Sequence, residues 1–102
     1  MKRSAIVLEP RAFNDIQDAI FYYDALVIGL GEKFYNELDK CFESLEISPF
    51  FQFRYNDIRC MPLKKFPYMI HFTVNETTNT VYVHAIINCY QNPDTKWLVN
   101  EP

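Results

Sequence analysis

The spacing of hydrophobic residues changes halfway along the chain. Phe13, Ile16, Ile20, Tyr23 and Val27 recur at intervals of three and four, one apolar stripe of a helix that ends near Leu26. Pro10 suits the first turn of that helix, where its missing N–H costs nothing. Gly29-Leu30-Gly31 then stops it, because glycine permits a backbone reversal. A second stripe of Phe34, Leu38, Cys41, Phe42 and Leu45 predicts a helix from about Glu32 to Leu45. So short a loop makes the two helices an antiparallel hairpin. Ser4–Leu8, ahead of them, reads as a short strand.

After Ser48-Pro49 the period becomes two, the mark of strands with one buried and one exposed face. Strands are expected near 52–60, 66–74 and 80–90, with Asn75-Glu76-Thr77-Thr78-Asn79 as the turn between the last two. Tyr68, Ile70, Phe72 and Val74 share one face, and Val81, Val83, Ala85 and Ile87 share another. Both sets must meet the helices, since a one-residue slip would expose one of them. The simplest register sets Val74 against Val81, Ile70 against Ala85 and His71 against His84. The opposite, solvent-facing side then carries Met69, His71, Thr73, Tyr82, His84, Asn88 and Tyr90. The fold class is α+β: an N-terminal strand, an antiparallel two-helix hairpin, then a three-stranded antiparallel sheet.

A length of 102 residues allows one domain, residues 1–102, with a single core. No apolar run approaches the roughly 20 residues that span a bilayer, so no membrane partner is expected. Ala5-Ile6-Val7-Leu8 is too short for the core of a signal peptide. Cys41, Cys60 and Cys89 are an odd number without CxxC spacing. They read as reduced apolar residues of a cytoplasmic protein.

Charge divides the chain along the same line. Residues 9–46 hold nine acids (Glu9, Asp15, Asp18, Asp24, Glu32, Glu37, Asp39, Glu43, Glu46) against Arg11, Lys33 and Lys40, a balance of −6. Residues 52–73 hold Arg54, Arg59, Lys64 and Lys65 against Asp57, a balance of +3. The acidic helices read as a solvated layer. A cationic sheet surface in a protein of pI near 5.3 marks a place for a partner, while broad phosphate tracking is disfavoured.

The candidate target-binding set is therefore Arg59, Lys64, Lys65, His71, His84, Asn88 and Tyr90. Lys and Arg beside Tyr55, Tyr68 and Tyr90 can hold phosphates and stack bases, bind acidic protein segments, or simply keep a sheet edge soluble. Paired histidines across two strands lie within reach of a shared metal. A metal site needs three or four ligands, and no acid or third histidine falls on that face, so none is expected. Ser4, Ser44 and Ser48 lie off the sheet face, and no glycine loop cradles a phosphate, so neither nucleophilic catalysis nor a cofactor is expected. The one reaction class left open is metal-independent RNA cleavage, with Arg59, Lys65, His71 and His84 as clamp and proton carriers.

Tyr22-Tyr23, Gly29-Leu30-Gly31 with Phe34, Leu45, Pro49, Tyr55, Ile58-Arg59, Leu63, Phe66-Pro67-Tyr68, Ala85, Pro93 and Trp97 follow in an order that resembles the RelE/ParE superfamily of bacterial toxin–antitoxin toxins. The resemblance covers nearly the whole chain, and Gly-Leu-Gly with Phe-Pro-Tyr places it nearest the ParE-like branch. It implies a helical hairpin on a small antiparallel sheet and a cognate antitoxin protein as partner. RelE-like members cut messenger RNA on the ribosome, whereas ParE-like members poison DNA gyrase. Arg59 stands where the nucleases carry a basic residue. Met69 replaces their arginine, and Asn88, Tyr90 and Gln91 precede Pro93 where many relatives read His and basic residues. The resemblance thus implies a growth-inhibiting toxin directed at gyrase. The alternatives are a ribosome-dependent endoribonuclease and an inactive relative serving as an interaction domain.

Overall fold

A computed structural model describes residues 3–90. Its elements run β1 (Ala5–Leu8), α1 (Pro10–Leu26), α2 (Leu30–Ile47), β2 (Phe53–Tyr55), β3 (Ile58–Pro62), β4 (Tyr68–Asn75) and β5 (Thr80–Asn88). The strands form one five-stranded sheet in the order β1-β5-β4-β3-β2. β1 joins β5 in parallel, and every other pairing is antiparallel. The expected three-stranded sheet is thus extended at both edges. The stretch expected as one strand over 52–60 is broken at Asn56-Asp57, where Asn56 takes φ 47° and the chain folds back as a hairpin.

Both helices lie on one side of the sheet. Their buried residues are Ala12, Ile16, Ala19 and Tyr23 on α1 and Gly31, Phe34, Leu38, Cys41 and Leu45 on α2. Small Ala12 and Ala19 take inward positions, so Phe13 of the expected stripe stays exposed, and Val27 is exposed past the helix end. The core adds Tyr68, Ile70, Phe72, Val81, Val83 and Ile86 from the sheet and Leu63 from the turn after β3.

The helical turn is tighter than the sequence suggests. Gly29, with φ 92°, supplies the reversal, and α2 already begins at Leu30. Gly31 therefore lies inside the helix, where its N–H donates to Asp24 Oδ1 at 2.8 Å and satisfies a donor that the helix start leaves open. A Cβ at Gly31 would sit 2.7 Å from the Ile20 carbonyl oxygen and 2.8 Å from the Asp24 carboxyl. Gly31→Ala is expected to prise the hairpin apart and cost about 2 kcal/mol. A urea midpoint unchanged from wild type would show that the helices give way freely.

β4 and β5 keep the expected Val74–Val81 pairing, but not throughout. Phe72 pairs with Val83 and His71 with Ala85, so His84 is an extra, bulged residue. Beyond the bulge Ile70 faces Ile86 instead of Ala85, and Tyr68 faces Asn88. This shift exchanges faces: Ile86 enters the helix-side core, Ala85 and Ile87 turn to the other side, and Asn88 moves to the helix side.

Candidate functional site

The side of the sheet away from the helices is not uniformly wet. Ile58 and Cys60 of β3, His71 of β4, and Ala85 and Ile87 of β5 are all buried there. They form a second, smaller apolar layer, against the expectation of an open polar surface. His71 sits within it, opposite Cys60. Its Nδ1 lies 3.1 Å from Tyr55 Oη and 3.4 Å from Cys60 Sγ. Hydroxyl and thiol can each donate to Nδ1, an arrangement matched by the tautomer with its proton on Nε2. Burial, reinforced by the Arg54 charge, pulls His71 down to about 4 from 6.5, and the ring is neutral at physiological pH. Burial likewise pushes the Cys60 thiol up to about 11, so the pair is an uncharged, inert contact.

His84 lies on the same side of the sheet but nearer β1. Its Nδ1 is 2.6 Å from Glu9 Oε1 and its Nε2 is 2.9 Å from Thr73 Oγ1. Glu9 arrives because its own N–H donates to the Val83 carbonyl, one residue before the bulge. It occupies the N-cap position of α1 yet makes no side-chain cap bond there, being turned to His84. An acid does therefore reach this face, and the two histidines do not pair across the strands.

Arg59 is turned inward. It pairs with core residue Phe72 and is only 8% exposed. Its guanidinium carbon lies 4.1 Å from the Phe53 ring centre and 5.3 Å from that of Phe50, and Nη1 donates to the Phe51 carbonyl at 3.0 Å. The buried Nε has no hydrogen-bond partner. Alternation along β3 forces this placement: Ile58 and Cys60 face the second layer, so Arg59 must face the first.

Lys64 and Lys65 stand in the turn after β3, with exposed side chains. Their backbone N–H groups both donate to Glu37 Oε2, at 2.5 and 2.8 Å, so one α2 carboxylate fixes the basic turn against the helices. Glu37→Ala removes both bonds and should cost about 2 kcal/mol, while Glu37→Gln, which keeps one acceptor oxygen, should cost about half that. Equal urea midpoints for Glu37→Ala and wild type would discount the clamp.

Asn88 borders a helix-side cleft of about 320 Å³ together with Arg11, Asp15, Asp18, Tyr22 and Tyr68. Burial raises the Asp15 carboxyl, partly offset because the carboxylate accepts the Ile86 N–H. Tyr90 is exposed beyond β5, and its N–H donates to Asn88 Oδ1. Gln91, Pro93 and Trp97 fall outside the described residues. The sequence-derived set is thus divided: Arg59, Lys64, Lys65 and Asn88 belong to the helix side, and His71 and His84 to the other. Thr73 stands with His84 on one side of the sheet, as the alternation predicts, whereas nothing in the sequence signals that Glu9 reaches that side.

No protein-family model matches the sequence, and no curated protein matches it significantly. Solved structures do share its architecture. A chain of the chromosomal ParDE TA system from P. aeruginosa superimposes with a TM-score of 0.72 at 13% identity, covering 84% of this chain and 96% of that one. A chain of the intact E. coli RelBE toxin-antitoxin complex does so at 0.63 and 17% identity, covering 81% and 93%. The two helices and their sheet therefore have the fold of the RelE/ParE toxins.

Proposed function

We propose that this protein is the toxin of a toxin–antitoxin pair, and that it acts by binding an essential target, DNA gyrase favoured, rather than by cutting RNA. The inward turn of Arg59 is the observation that carries the second half of this reading. Phosphoryl-transfer chemistry without a metal needs a cation and a proton carrier converging on one phosphate. Here the arginine lies between Phe50 and Phe53, His71 is buried and neutral, and Lys65 stands on the helix side of the sheet. The groups left to meet a target are Lys64, Lys65 and Tyr90, with His84 and Asn88 partly accessible.

The antitoxin is the expected partner on the helix side. β1 is paired only through β5, and exposed Val7 and Leu8 leave an edge suited to strand addition. Induction of the protein alone should arrest growth, with DNA breaks accumulating while messages stay intact. Codon-positioned message cleavage would instead establish the endoribonuclease, and normal growth the inactive relative. Lys64→Glu with Lys65→Glu should relieve the arrest in a folded protein. Arg59→Ala should act through stability, costing about 2 kcal/mol as the aromatic sandwich and the bond to Phe51 are lost. A fully stable Arg59→Ala protein that no longer arrests growth would return Arg59 to the working surface.

A further inference from the structure

We propose that Thr73, His84 and Glu9 form a hydroxyl-activating relay, making Thr73 an acceptor for acyl groups from thioesters or activated esters. Direction along the relay is set by elementary hydrogen-bond chemistry. The Glu9 carboxylate can only accept, so the 2.6 Å contact places the imidazole proton on His84 Nδ1. In the ring's neutral form Nε2 is then a lone-pair acceptor, and the 2.9 Å contact becomes the Thr73 hydroxyl donating to it. Nucleophile, base and orienting acid thus stand in sequence, each within hydrogen-bond reach of the next.

Backbone features fix all three members. Thr73 is held opposite Tyr82, His84 is the extra residue of the bulge, and Glu9 is tied through its N–H to Val83. The side chains of His84 and Glu9 are 23% and 43% exposed, and Thr73 is half-buried, so an acyl donor can reach them. His71 is different: it is enclosed, and its Nδ1 meets the Tyr55 hydroxyl and the Cys60 thiol.

In the step itself, the Thr73 Oγ–H proton passes to His84 Nε2 as oxygen bonds to the acyl carbon. The bond from that carbon to the leaving sulfur or oxygen breaks, and His84 returns the proton to the departing group. The products are O-acyl Thr73 and a free thiol or phenol, with no oxidant or reductant involved. The step draws on general-base assistance, and the expected acceleration is of that size.

The probe is p-nitrophenyl acetate, added to the full-length protein and followed by peptide mass mapping. One acetyl group is expected on Thr73, and Thr73→Ser, with its less hindered hydroxyl, should be labelled at least as fast. Thr73→Val should lose the label, His84→Gln should slow it about 100-fold, and Glu9→Gln about tenfold. Far-UV circular dichroism verifies that each variant is folded. If His84→Gln fails to fold, the wild-type map and the Ser and Val variants decide. Labelling of lysines with Thr73 unmodified, or an undiminished rate in folded His84→Gln, overturns the proposal.

Discussion

Phe34→Ala should destabilise the protein by about 4 kcal/mol, the largest effect expected of any single truncation here. Phe34 is completely buried on α2 and touches three other rings. It stacks on Tyr23 of α1 at 5.6 Å and meets Phe66 and Tyr68 edge-on at 5.3 and 5.1 Å. Tyr23 in turn packs against Phe66 at 4.9 Å. One ring therefore joins both helices to the start of β4, and its loss opens a cavity that neither helix can close without pulling away from the sheet. A domain of this size holds only about 5–15 kcal/mol in reserve, so the variant should unfold at much lower urea. Phe34→Leu, which refills much of the volume, should recover about half of the loss. Equal urea midpoints for Phe34→Ala and wild type would mean that the aromatic cluster is not what couples the layers.

That cluster holds several of the residues on which the family resemblance rests. Tyr23, Phe34, Phe66 and Tyr68 are residues of the quoted motifs, and Gly31 is the close approach between the helices. They specify how a hairpin docks on a sheet, not what the exposed faces do. This is why the fold was legible in the sequence while the site was not. Helix periodicity located α1 and α2, and alternation located β4 and β5, because burial on one face leaves a repeating record. A bulge leaves a fainter one: the single extra residue at His84 reverses the faces of Ala85 through Asn88, and its trace is the unbroken apolar run Ala85-Ile86-Ile87. The misplacement of Arg59 has another origin. A cation on a strand is expected to face solvent, yet Phe50 and Phe53 offer rings and Phe51 a carbonyl to Arg59. Phe50 and Phe51 come from the segment between α2 and β2, where neither period applies, and Phe53 is the cross-strand neighbour of Arg59 at the start of β2.

The same division bears on how a target is met. Both faces of the sheet are buried near its centre, so the accessible chemistry collects at its margins. Lys64 and Lys65 lie at the turn and Tyr90 beyond β5, while the half-buried Glu9–His84–Thr73 chain runs from the start of α1 across β5 to β4. Margins are poor places to enclose a substrate phosphate but adequate for contacts spread across a large protein surface. Such a distribution is what the binding reading requires.

Acidification supplies the second large effect. The folded protein holds His71 neutral, with its proton affinity lowered to about 4, while the unfolded chain takes up a proton near 6.5. Below pH 6.5 the unfolded state thus binds more protons than the native state, and linkage requires stability to fall with pH. Stability from this residue is fully present above about 6.5, declines through the interval, and is lost by about 4. Some 2.5 pH units of displacement correspond to about 3 kcal/mol. Asp15 works the other way, since its raised carboxyl makes the folded state the better proton acceptor as pH falls. The comparison that isolates His71 is therefore between wild type and His71→Gln, which offers Tyr55 an acceptor without a titrating ring. Urea titrations at pH 7 and pH 4.5 should show the wild type losing about 2–3 kcal/mol more than the variant. Parallel losses in the two proteins would mean that water already reaches the imidazole, and that the second apolar layer opens in solution.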